Sequence, residues 1–175
     1  LKLNIRLGSW GSSGDKDGNN NVTAETTLEA IAQHMEAILE RYDGDLKRIG
    51  TQGVERWAET IGNAYRQLHE EILPEAAKLR EDSSAMRSGK ANIPGEALNE
   101  RFDAISAKLQ EIRGRLDPRQ FEGDLQKQYE SSHNPDVLEL LRKVRIFKFD
   151  FAKIEYRETA KEYQRVVDAI LPGYM

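Results

Sequence analysis

Leu98-Asn99-Glu100-Arg101-Phe102-Asp103-Ala104-Ile105-Ser106-Ala107-Lys108-Leu109-Gln110-Glu111-Ile112-Arg113-Gly114-Arg115-Leu116 decides the fold class. Its apolar residues, Leu98, Phe102, Ile105, Leu109, Ile112 and Leu116, advance in alternating steps of four and three. That spacing keeps one apolar seam on one side of an α-helix for nearly three heptads. Asp117-Pro118 ends this helix and opens the next, with Asp at the N-cap and Pro at the first helical position. The following helix is short and carries Phe121, Leu125 and Tyr129 as its stripe.

The same periodicity extends toward the N-terminus. Val54, Trp57, Ala58, Ile61, Tyr65, Leu68 and Ile72 mark a second helix. Pro74 is expected to kink or break it, because proline lacks a backbone donor and clashes with the preceding turn. A short continuation over 75–80 then gives way to a polar loop over 82–95. A first helix is expected to begin between Thr23 and Thr27, where Thr26-Thr27-Leu28-Glu29 fits a capping box. Its apolar positions are 28, 31, 35, 38, 39, 42, 46 and 49. Gly44 interrupts it without changing phase, and Gly50 and Gly53 end it.

Toward the C-terminus, Asn134-Pro135 repeats the N-cap and N1 signal. A last helix could extend from Pro135 to Leu171, before Pro172-Gly173, a length of about 55 Å at the α-helical rise. Val144, Phe147, Phe151 and Ile154 share one face of it. Phe149, Tyr156 and Tyr163 lie nearly opposite, which places this helix centrally in a bundle or between subunits. Phe147, Phe149 and Phe151 also alternate with Lys148 and Asp150, a strand-like pattern. The helical reading is preferred, because helix patterns flank it without an intervening turn residue.

Residues 1–21 differ from all of this. Leu1, Leu3, Ile5 and Leu7 alternate with Lys2, Asn4 and Arg6, the period of a half-buried strand. A lone strand needs an edge to pair with. Residues 8–21 are Gly, Ser, Asp and Asn with a single Trp and a single Lys, a linker composition. The expected fold is therefore all-α: an antiparallel bundle of four or five helices over 22–175, preceded by an extended arm and linker over 1–21.

Composition narrows the function classes. The chain has 175 residues, 32% of them charged, with Asp+Glu exceeding Lys+Arg by 30 to 26 and a net charge of −4. No apolar run approaches the 18 or so residues of a membrane span. Absence of cysteine excludes a disulfide scaffold and thiol chemistry. The acidic balance argues against a general nucleic-acid binder. Arg142 to Lys161 does interleave seven Lys/Arg with aromatics, but Asp150, Glu155 and Glu158 dilute it. The opening Leu1-Lys2-Leu3, without an initiator methionine, reads as a fragment or a processed product.

Asp15-Lys16-Asp17-Gly18-Asn19-Asn20-Asn21-Val22-Thr23-Ala24-Glu25-Thr26 resembles an EF-hand or dockerin-type calcium loop. The resemblance implies Asp15, Asp17 and Asn19 as the first three ligands, with Val22 at the apolar eighth position. Calcium is the one cofactor it suggests. The loop departs at Asn20, where the family has glycine, and at Thr26, where a bidentate acid belongs. Histidine chemistry is thin: His34, His69 and His133 fall in separate segments, and only Glu130-Ser131-Ser132-His133 has a Glu-x-x-His spacing. No nucleophile elbow and no phosphate loop occurs.

The function expected from these patterns is a non-enzymatic protein–protein interaction or assembly module. It would be a fragment or subunit of a larger system, with a protein partner or another copy of itself. Leu3, Ile5 and Leu7 would add a strand to a neighbour's sheet, and Trp10 would anchor there. The alternatives are a membrane-acting helical bundle and a calcium-dependent binding domain.

Overall fold

Thr23 starts the first helix. Its backbone is extended, and its hydroxyl accepts a hydrogen bond from the Thr26 amide at 3.3 Å. In the computed structural model, which describes residues 8–9, 22–50, 53–149 and 153–154, α1 spans Ala24–Ile49. The cap thus lies three residues before the Thr26 capping box expected from sequence. α1 also passes through Gly44 without a break and stops at Gly50, whose φ of 79° suits glycine. Ten of its residues are buried, among them Leu28, Ala32, Met35, Leu39, Tyr42 and Leu46.

The second helix is longer than its sequence suggests. α2, Glu55–Gln67, continues through a π-helical turn at Leu68–Ile72 into α3, Leu73–Arg87. Pro74 therefore does not break the chain. Within the π turn the Leu73 amide reaches back to the Leu68 carbonyl, five residues earlier. The wider turn absorbs a residue with no amide hydrogen and a bulky ring, so the helix continues past it. The expected loop at 82–95 shrinks to 88–94, because Ser83 is buried and accepts from Arg87, while Asp82 pairs with Arg101.

The last two helices carry the caps expected of them. α4 is Gly95–Arg115, with Leu98, Phe102, Ile105, Leu109 and Ile112 buried as one seam. α5, Pro118–Ser132, is capped by Asp117, whose carboxylate accepts from the Arg119 and Gln120 amides. α6, Pro135–Phe147, is capped by Asn134 through the Asp136 amide. His133, in a left-handed conformation, turns the chain between α5 and α6.

The described chain is all-α, a bundle assembled on α1, which touches α2, α3, α4 and α6. α5 and α6 pack as a hairpin, and α3 packs on α4. A two-residue parallel pair accompanies them: β1, Gly8–Ser9, aligns Gly8 with Lys153 and Ser9 with Ile154 of β2. The strand expected over 1–7 lies outside the described residues. The pairing seen falls instead in the stretch read as linker.

The last helix departs most from expectation. It stops at Phe147, where Lys148 adopts φ 52° and its amide bonds the Val144 carbonyl. By 153–154 the backbone is extended. α6 buries Val137, Leu140, Leu141 and Val144 and is not the central helix; α1 holds that place.

Charged pairs staple the helices from outside. Arg80 of α3 binds Glu29 of α1, and Arg87 lies 3.5 Å from Glu25. Burial alone would raise the Glu25 carboxyl. Hydrogen bonds from Thr23, its own backbone and Ser83, together with the Arg87 charge, take it below its ordinary 4.5.

Two measurements check this packing. Ile105→Ala removes a buried residue from the α4 seam and should cost about 2–5 kcal/mol in a thermal or denaturant melt; an unchanged melt contradicts the seam. A carboxyl with a lowered folded pKa stabilises the fold above its unfolded pKa and loses that contribution as pH falls through the folded value. Glu25→Gln should therefore destabilise the chain at pH 7, and the gap from the unsubstituted chain should narrow as pH drops below about 4.5. A gap that widens on acidification contradicts this assignment.

Candidate functional site

The two chain segments that leave the bundle, one before α1 and one after α6, come together at the β1–β2 pair. Four aromatic side chains converge on the α6 exit. Tyr42 comes from α1, Trp57 from α2, Phe121 from α5 and Phe149 from just beyond α6, and all four are buried. Phe149 stacks on Phe121 with centroids 5.8 Å apart and meets the Tyr42 edge at 5.8 Å. Trp57 lies 4.7 Å from Phe121 and 6.4 Å from Phe149. Offset and edge-on pairs at these separations are favourable beyond the area they bury.

The polar atoms of this cluster are satisfied. The Tyr42 hydroxyl donates to the Lys148 carbonyl at 2.7 Å, and the Trp57 indole N–H donates to Asp124 at 3.0 Å. The Arg56 guanidinium sits 5.5 Å over the Trp57 ring. One turn along α1 from Tyr42, Asp45 is 5% exposed and faces three cations: the Lys143 ammonium at 2.8 Å, the Arg48 guanidinium at 3.1 Å and the Arg41 guanidinium at 3.7 Å. Lys143 also binds Glu139, and this hydrogen bond with its charge lowers the Glu139 carboxyl below its ordinary value. A buried carboxylate needs such partners, because desolvation otherwise drives it neutral. Asp45 and Lys143 thereby tie α6 to α1.

The rest of the chemistry is dispersed. His69 faces Glu36 at 2.8 Å on the surface, and His133 packs near Tyr129. Burial pushes the His34 imidazole below its ordinary pKa. Among the described residues no group of three or more His, Asp or Glu side chains is placed to hold a metal ion, and no helix is long and apolar enough to cross a membrane. A shallow cleft of about 340 Å³ is lined by Glu70, Glu71, Pro74, Glu75, Lys78 and Lys108 beside the π turn.

The loop residues Asp15, Asp17 and Asn19, and the arm residues Leu3, Ile5, Leu7 and Trp10, fall outside the described residues. Of the later loop positions, Val22 is buried, Thr23 caps α1 and Glu25 faces Arg87. The Asp45 clamp and the aromatic convergence were not anticipated. Tyr42 and Trp57 sat on their expected stripes, but four separate stripes carry no signal that they end at one point.

Comparison with known proteins supplies the functional context. Residues 1–134 match the family model described as phosphoenolpyruvate carboxylase. The phosphoenolpyruvate carboxylase of Xanthomonas euvesicatoria pv. vesicatoria (strain 85-10) is 27% identical over 173 residues, covering 93% of this chain and 19% of that protein. Those of Paraburkholderia xenovorans (strain LB400) and Rhodopseudomonas palustris (strain HaA2) are each 25% identical, covering 95% of this chain and 19% of theirs. The chain thus spans about a fifth of the length of these curated relatives. No solved structure matches.

These matches overturn the expectation of a non-enzymatic interaction or assembly module, and with it the membrane-acting and calcium-binding alternatives. The physical reason is one of scale. Reacting groups of a large enzyme are gathered from distant segments, so a stretch covering a fifth of it need show no catalytic motif of its own. The chain belongs to the phosphoenolpyruvate carboxylase family.

Proposed function

We propose that this chain works as the helical segment of an enzyme that carboxylates phosphoenolpyruvate. The observation that carries the reading is the collinear match: a family model over residues 1–134, and relatives of that name aligned over 93–95% of the chain. The described residues support a scaffolding share in the work. They form a packed bundle whose entering and leaving strands pair, so the helical unit returns the chain close to where it departed.

Carboxylation of phosphoenolpyruvate develops enolate and phosphate charge, which enzymes stabilise with fixed cations. A divalent metal such as magnesium, which enzymes of this family generally need, supplies that charge as a Lewis acid. The described residues do not fit one. Their shielded carboxylates are already held by cations: Asp45 by Arg48 and Lys143, Glu29 by Arg80, Glu25 by Arg87. No step through a metal is assigned to this segment.

A segment swap tests the proposal. The matching fifth of the Xanthomonas enzyme is replaced by this chain, and phosphoenolpyruvate-dependent fixation of labelled inorganic carbon is measured. The chimera should fix carbon well above a version in which the segment is deleted. A chimera that folds, by its helical circular dichroism and cooperative melt, yet fixes no more than the deletion would overturn the reading.

A further inference from the structure

Lys148 is the joint between the bundle and the strand pair, and its backbone is unusual. At φ 52° it occupies a region that side-chain-bearing residues rarely adopt, at a position with no glycine. Such conformations persist only where the surroundings impose them. Here the surroundings hold the joint from both sides. The Tyr42 hydroxyl, on a fully buried side chain of α1, donates to the Lys148 carbonyl. The next residue, Phe149, is inserted among Tyr42, Trp57 and Phe121. The Lys148 amide meanwhile closes the end of α6 on Val144. Four residues after Phe149 the chain is extended and paired in parallel with Gly8–Ser9. A two-residue parallel pair has little stability of its own, so its position must be imposed from elsewhere.

We propose that Tyr42 and Phe149 form a latch that sets the direction in which the chain leaves α6 and so positions β2 against β1. Tyr42 is a positioning residue acting through the Lys148 carbonyl, and Phe149 is the plug that prevents the joint from relaxing. The helical bundle and the strand pair are then mechanically coupled: releasing the latch lets β2 separate while the helices stay packed. This coupling stands apart from the carboxylase reading.

The test is residue-resolved amide hydrogen exchange by NMR on the full 175-residue chain under native conditions. Three variants are compared. Tyr42→Phe removes one hydroxyl and keeps the ring. Phe149→Leu keeps an apolar plug and removes the ring contacts. Ile105→Ala lowers global stability from the α4 seam, remote in sequence from the latch. The latch predicts that amides of the β1–β2 pair exchange about three- to tenfold faster in Tyr42→Phe, the range set by loss of one net hydrogen bond. Phe149→Leu should accelerate them as well. In both variants the amides of α4 should keep their protection. Ile105→Ala should leave the pair's local opening unchanged. Pair amides that are unprotected in the unsubstituted chain, that ignore Tyr42→Phe, or that respond equally to Ile105→Ala overturn the proposal.

Discussion

Burial of α1 on several sides at once is the constraint from which the rest of this structure follows. A 26-residue helix with ten buried positions cannot satisfy itself against one neighbour. It collects α2 and α3 along its length, touches α4, and takes α6 through Asp45 and Lys143. Leu28, Ala32, Met35, Leu39, Tyr42 and Leu46 give it a nearly continuous apolar row. Apolar burial of this kind is non-directional. The choice of neighbour is therefore left to a few polar contacts: Asp45 to Lys143, Glu29 to Arg80 and Tyr42 to the Lys148 carbonyl.

Those contacts also give the bundle its ends. The Glu29 and Glu25 pairs bind the beginning of α1 to α3, while Asp45 and Tyr42 bind its later turns to α6 and its exit. Asp45 keeps Arg48 and Arg41 beside Lys143, and Lys143 keeps Glu139 beside Asp45, so the charges removed from water at this end are each held by more than one partner. At that same end the aromatic side chains of four segments meet, and the chain passes from helix to extended pairing.

Periodicity made the helices legible. The seam from Leu98 to Leu116, the Asp117-Pro118 and Asn134-Pro135 starts and the stop at Gly50 all appear where one-dimensional spacing placed them. The failures have local causes. Pro74 is accommodated by a π turn, whose five-residue hydrogen bond leaves no mark in composition. Lys148 takes a left-handed φ without being glycine, so nothing in the sequence announced the end of α6. Phe149 is buried, as its place on the second apolar stripe implies, but it reaches the core from the turn at Lys148 rather than from a continuing helix. The functional class was missed for a different reason. Core spacing and caps are common to helical bundles of any function, so they carry no mark of the family that residues 1–134 match.

Tyr42, Trp57, Phe121 and Phe149, drawn from four separate segments, meet in one buried cluster that closes the bundle. Nuclear Overhauser contacts between the Phe149 ring and the Trp57 and Tyr42 rings, measured on the intact 175-residue chain, test it most directly. The centroid separations of 6.4 and 5.8 Å predict cross-peaks to both. A folded, helical chain in which Phe149 shows no contact with either ring would contradict the account.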